Sequence, residues 1–206
     1  TKEATPGTLY FIDVPNSKQS VLYIGKQALS ASDEDAVKLN YANEILGGGS
    51  SGMLFQTLRI EKGYTYGAYS YIPNRSEIAP FILSSSVRSN ATLPSLEIVE
   101  NMLKNYGVNF SEEDVTLTQN KLIKQNTRAY ESLGAKLNIL KDISKYDKSL
   151  TFIEEEQQVL QNMDLSDFQT IIDKYIQEEE MIYIVVGDKA TQFNEVKKLG
   201  KPILEL

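Results

Sequence analysis

Three consecutive glycines, Gly47-Gly48-Gly49, constrain the fold of this chain more than any other run. Before them, Val37, Tyr41 and Ile45 recur at helical spacing, with Leu39, Ala42 and Leu46 beside them. After them, Leu54, Phe55 and Leu58 mark the buried side of a second helix that extends to about Lys62. Ser32-Asp33-Glu34-Asp35 reads as a capping-box-like start for the first helix. Ser50 or Ser51 reads as the cap of the second. Glycine has no Cβ and accepts the left-handed conformation that ends helices, so the triplet predicts a tight corner between the two. Gly63 ends the second helix, and a strand follows over 64–72, carrying Tyr64, Tyr66, Tyr69 and Tyr71.

The rest of the chain can be read the same way. Residues 8–13 and 20–26 are β-rich runs bridged by Pro15-Asn16-Ser17, which predicts a first hairpin or strand pair. Strand 64–72 and strand 80–88, joined through Pro73-Asn74-Arg75, predict an antiparallel pair. Pro94 suits the first turn of a helix whose stripe is Leu96, Val99, Met102, Leu103 and Tyr106, with Gly107 as its close. Ser111 caps a longer polar helix that reaches about Tyr130. Leu133, Leu137, Leu140 and Ile143 mark another, which could continue it. Asp164 caps a helix to about Gln177, residues 181–187 predict a central strand, and a last helix spans 188–199 before a tail at Pro202. The order predicts a single α+β domain over residues 1–206, a largely antiparallel sheet with helices packed mainly on one face.

Composition removes several chemistries. The 206 residues include no histidine and no cysteine, so a Ser-His-Asp triad and thiolate catalysis are excluded, and a zinc site in this chain is improbable. Only a hard-cation site of oxygen ligands is left for metals. A net charge of −7 with scattered basic residues argues against a nucleic-acid partner. No run of about 18 apolar residues exists to span a membrane. The chain starts at Thr1 rather than Met, and is read as an excised or partial piece of a longer protein.

Four features compete as sites. Gly47-Gly48-Gly49-Ser50-Ser51-Gly52 could bind an anion at a helix N-terminus, but no Lys-Ser/Thr follows it and a structural corner is the stronger reading. The acid runs Glu112-Glu113-Asp114, Glu154-Glu155-Glu156 and Glu178-Glu179-Glu180 read as solvated helix ends, because a metal needs convergent ligands rather than adjacent ones. The tyrosine stripe is ordinary content of a half-buried strand. Arg59 and Tyr66, seven residues apart across a helix-to-strand turn, could aim a guanidinium and a phenol into one cleft. Arginine supplies a permanent charge with forked donors, and the phenol a hydrogen bond where charge develops.

The run LGGGSSGMLFQTLRIEKGYTYGAYS resembles the C-terminal, non-zinc domain of pitrilysin/insulinase-type metallopeptidases, the group that includes mitochondrial processing peptidase. The specific motif covers about residues 43–71, and the element order is similar along nearly the whole chain. Gly52-Met53 departs from the Ser-Arg frequent at that helix start, so any contact of that arginine is absent. The resemblance implies a clamshell of two domains or subunits. One carries zinc on an inverted H-x-x-E-H motif, and the other closes the chamber and binds peptide. The family's Arg/Tyr pair maps onto Arg59 and Tyr66, so the expectation is substrate binding here, with no catalytic residue and no metal ligand in this chain and zinc in the partner domain. The partner could lie on the same or another chain, and a homo-oligomer is left open. A non-proteolytic peptide-binding or assembly scaffold of the same family is the alternative. The resemblance favours a bacterial periplasm or cell envelope.

Overall fold

The structure, a computed structural model, describes residues 4–126 and 130–206. Six strands form one sheet: β1 Leu9–Asp13, β2 Gln19–Leu29, β3 Thr65–Tyr71, β4 Ala79–Arg88, β5 Ile182–Gly187 and β6 Ile203–Glu205. Their spatial order is β3-β4-β2-β5-β1-β6. The pairs β3/β4, β4/β2 and β2/β5 are antiparallel, while β5/β1 and β1/β6 are parallel. The sheet is thus mixed and mostly antiparallel, as the element order predicts.

The first two strands do not pair with each other. β5 lies between them, bonded to β1 on one side and β2 on the other. Its run Ile-Tyr-Ile-Val-Val is apolar on both faces and needs neighbours on both edges. The expected 8–13/20–26 pairing is therefore replaced by a step across one strand. Asn16 takes φ 63° in that step, and its N–H donates to Asp188 Oδ1 at 2.9 Å.

Cross-strand rows show which face is covered. Ala68, Ser85, Leu22, Val185 and Phe11 stand opposite one another, and all are buried. One residue along, Tyr69, Ser84, Tyr23 and Ile184 form a row on the opposite face, where Tyr23 and Tyr69 stay 43% and 40% exposed. The helices are α1 Ala36–Gly47, α2 Met53–Phe55, α3 Thr92–Asn109, α4 Glu112–Asn126, α5 Leu133–Tyr146, α6 Phe152–Asn162, α7 Leu165–Tyr175 and α8 Lys189–Val196, and all but α5, which buries no residue, add side chains to the core on the first face. Their buried side chains, among them Leu39, Leu46, Leu96, Val99, Phe168 and Ile172, join Phe11, Leu22 and Phe81 in one core.

Several local expectations change. α6 is absent from the sequence reading, because Glu154-Glu155-Glu156 interrupts its apolar stripe and only Phe152 and Leu160 are fully inside. Residues after Pro202 form the short edge strand β6 rather than a tail. Gly107 lies inside α3 instead of closing it; an added Cβ would stand 2.8 Å from Asp173 Oδ1, so the glycine lets α7 approach. The expected end of α4 near Tyr130 lies outside the described residues, and 130–132 form a turn, with Ser132 capping α5. The Asp35 side chain does not cap α1.

Instead, Asp35 gathers Lys174 at 2.7 Å, Tyr175 at 3.0 Å and Lys38 at 3.2 Å. Burial pushes its carboxyl up, but these hydrogen bonds outweigh burial and hold it below the ordinary 3.8. Glu100 is similar: burial raises it, and bonds from Lys104 and Lys201 lower it below 4.5. Both groups titrate lower in the fold than in the unfolded chain. Their stabilisation is complete at neutral pH and lost as pH falls through the folded values. Urea unfolding midpoints are therefore expected to fall steeply below pH 4.5, and Asp35→Asn should flatten part of that acid limb.

Candidate functional site: Arg59 and Tyr66 at the sheet edge

Arg59 is set by the helix that follows the glycine corner. α2 passes directly into a π-helical turn over Gln56–Glu61. The Lys62 N–H donates to the Thr57 carbonyl, five residues back, at 3.0 Å. This wider turn replaces the plain helix predicted to Lys62, and π-turns of this kind concentrate at functional sites. Leu54 and Leu58 are fully buried and fix the roll of the segment, which leaves Arg59 part-exposed. Gly63, at φ 62°, ends the turn, and the Tyr64 N–H closes it on the Leu58 carbonyl at 2.9 Å.

Tyr66 is set by a bulge in the edge strand. Thr65 stands opposite Val87 and Ala68 opposite Ser85, so Tyr66 and Gly67 together face the single residue Ser86. A bulge bends its strand and re-aims a side chain. Hydroxyls stitch it in place. Thr65 Oγ1 accepts from the Gly67 N–H at 3.0 Å and donates to the Ser86 carbonyl at 2.6 Å. Ser85 Oγ donates to the Gly67 carbonyl at 3.0 Å. The result leaves Tyr66 83% exposed, in contrast to its buried neighbours Thr65 and Ala68. Thr65 and Ser85 were not singled out in the sequence. The signal available was Gly67, since a lone glycine within a strand pattern marks a bulge.

The two anchors bring the pair together. The Arg59 guanidinium carbon lies 5.3 Å from the centre of the Tyr66 ring, a cation–π distance. Among the described residues Arg59 has no carboxylate partner, so its donor fork is available to a ligand. A cation–π contact supports the guanidinium without using its N–H groups. The arrangement offers a permanent positive charge and a phenol hydroxyl side by side at an open strand edge. It can hold a carbonyl or carboxylate oxygen, and it supplies neither a nucleophile nor a base.

The other candidates fall into place around it. The glycine corner is structural, though not through left-handed caps: Gly48 has φ −69°, and the positive-φ glycines are Gly7, Gly63 and Gly200. What the triplet supplies is close approach. A Cβ on Gly47 would stand 2.5 Å from the Ser70 amide nitrogen and 2.7 Å from Leu54 Cδ1. Gly52, not Ser50 or Ser51, precedes α2 as its N-cap, with no side-chain cap bond. Ser51 instead accepts from Lys121 at 2.8 Å, and Lys121 also pairs with the buried Glu44.

Each acid run goes elsewhere. Glu112-Glu113-Asp114 forms the first turn of α4, where Ser111 and Asp114 make reciprocal cap bonds. Glu154-Glu155-Glu156 lies in α6. Glu178 is buried and receives Tyr183 at 2.5 Å and Lys201 at 2.6 Å. A cavity of about 820 Å³ lies away from Arg59, between the start of α1 and the α5–α6 turn. It is acidic, with Lys148 as its one basic lining residue among the described residues. Zinc does not fit the residues of this chain: histidine and cysteine are absent from the sequence, and among the described residues no three carboxylates converge. Among the described residues, too, no helix is long and apolar enough to cross a membrane.

Known proteins share this architecture. A solved M16 peptidase inactive domain from Pseudomonas fluorescens superposes with a TM-score of 0.80 at 21% identity, covering 92% of this chain and 46% of that one. A protease from Helicobacter pylori superposes at 0.75 with 15% identity, over 89% and 45%. At these identities the likeness shows the fold. An uncharacterized zinc protease of Streptomyces coelicolor is 24% identical over 123 residues, which is 59% of this chain and 27% of the relative. The chain thus spans less than half the length of these relatives. The family model for the peptidase M16 inactive domain matches residues 2–122, which include the glycine corner, Arg59 and Tyr66. That match takes in more than half of the sequence, and the chain belongs to the M16 peptidase family as a domain of its inactive kind.

Proposed function

We propose that this chain is the substrate-holding half of a zinc peptidase. It closes a chamber against a domain that carries H-x-x-E-H and the zinc, on the same chain or another. The observation that carries this reading is the Arg59–Tyr66 stack at 5.3 Å, built on a π-turn and a bulge and presented at the free edge of β3. An edge strand pairs with an extended peptide through main-chain hydrogen bonds. Arg59 and Tyr66 stand beside that edge and would take a peptide carbonyl as it gains negative charge. The absence of zinc ligands and the family membership support a division of labour, with metal chemistry supplied by the partner.

Reconstitution tests the reading. The zinc domain is purified with and without this chain, and peptide turnover is measured at equal zinc content. Adding the chain should raise turnover by about tenfold or more, the scale of a lost positioning element. Equal turnover with and without it would favour the scaffold alternative, in which the domain only assembles.

A further inference from the structure

The open face of the sheet carries a trough beside Tyr66. On β4 the outward residues are Pro80, Ile82, Ser84, Ser86 and Arg88, and of these Ser84 and Ser86 are the small ones. On the β3 side, Tyr69 stands opposite Ser84, and Tyr66 lies in the bulge opposite Ser86. On the β2 side, Tyr23 stands opposite Ser84 and Val21 opposite Ser86. Two serines between rows of larger side chains leave a cavity of about 250 Å³. Among the described residues its lining contains no carboxylate, ammonium or guanidinium, with Arg59 beside Tyr66 and Arg88 two residues on from Ser86 as its charged neighbours. The hydroxyls of Tyr23, Tyr66, Tyr69, Ser84 and Ser86 make no hydrogen bond among the described residues. The tyrosine rings also stay open, from 40% exposed at Tyr69 to 83% at Tyr66.

We propose that this trough is a specificity pocket that takes an aromatic side chain of the peptide. The proposal rests on the reading of Arg59 and Tyr66 as the backbone clamp, because Tyr66 belongs to both. A peptide held at the β3 edge places alternate side chains on opposite faces. One of them passes over Tyr66 onto the open face and reaches Ser84 and Ser86. A flat ring slides over the two serines and meets the tyrosine rings edge-on or offset. Free hydroxyls at the rim satisfy a polar tip such as a phenol. A cationic side chain finds no carboxylate there, has Arg59 and Arg88 as neighbours, and is disfavoured by its desolvation. The trough therefore sorts substrates by an aromatic residue, against a small or cationic one, next to the clamped carbonyl.

The test uses nuclear magnetic resonance titration of the isotopically labelled chain with peptides of one backbone that differ at one position: Phe, Ala or Lys. The Phe peptide is expected to bind about fivefold tighter than the Ala peptide, the scale of one aromatic contact. It should shift the amide signals of Ser84 and Ser86, and the Lys peptide should bind no tighter than Ala. Ser84→Phe, which fills the trough, should erase the preference for Phe. Ser84→Asp should transfer the preference to Lys. Arg59→Ala should weaken all three peptides equally and keep their ratio. Equal affinity for Phe and Ala, or a Phe preference that survives Ser84→Phe, overturns the pocket. A Phe preference that responds to Ser84 while Arg59→Ala changes nothing leaves the pocket standing and removes the clamp. Failure of every peptide to bind removes both.

Discussion

Arg59→Ala in the assembled peptidase is expected to lower kcat/KM by about 100-fold while zinc content stays at the wild-type level. The size follows from what the guanidinium is asked to do. A preorganised donor aimed at developing charge contributes mainly in the transition state, so kcat should fall more than KM rises. Arg59 is preorganised because Leu54 and Leu58 lock its segment and the Tyr66 ring supports its plane. Arg59→Lys should recover only part of the loss, since an ammonium keeps the charge but lacks the planar fork. Steady-state kinetics with metal analysis of the same sample reads all of this. A fall in zinc content in step with activity would mean that Arg59 acts on assembly rather than on substrate.

Gly47→Ala is expected to destabilise the fold by about 3 kcal/mol, at the upper end of overpacking costs. The added methyl would lie 2.5 Å from the Ser70 amide nitrogen, a backbone atom that cannot rotate away. Ser70 is buried and fixed by Asn43, whose side-chain amide donates to the Ser70 carbonyl at 2.8 Å. Relief therefore means moving α1 away from β3, the strand that carries Tyr66, Tyr69 and Tyr71. For a chain of this length the melting temperature should drop by roughly 6–12 °C. Gly49→Ala is the control: the nearest atom to its added methyl is Lys121 Nζ at 3.7 Å, an ordinary van der Waals contact, and little should change. Equal melting of both variants would refute the close-approach account of the triplet.

Legibility of this fold in the sequence varied with how local the cause was. β5 was readable because six consecutive residues, Ile182 to Gly187, are apolar or small with no helical gap. The turn at Gly63 was readable because a positive φ leaves its mark on residue choice. The β1–β5–β2 order was not, since pairing depends on a strand some 170 residues away, as the Leu9–Tyr183 register shows. α6 was hidden by its three consecutive glutamates, and β6 by its shortness. At the site, Arg59 and Tyr66 stood out through their spacing and the family resemblance. The bulge that turns Tyr66 outward depends on Ser85 and Ser86 of the neighbouring strand, and only the placing of β4 against β3 reveals it.

The central claim is that Arg59 and Tyr66 act as one unit on substrate, for a metal held outside this chain. A double-mutant cycle of Arg59→Ala and Tyr66→Ala on kcat/KM, with zinc measured in all four proteins, tests it most directly. The stacked geometry predicts strong coupling: the double variant should be little worse than Arg59→Ala alone, with zinc unchanged throughout. Losses that multiply independently, or turnover that neither substitution lowers, would contradict it.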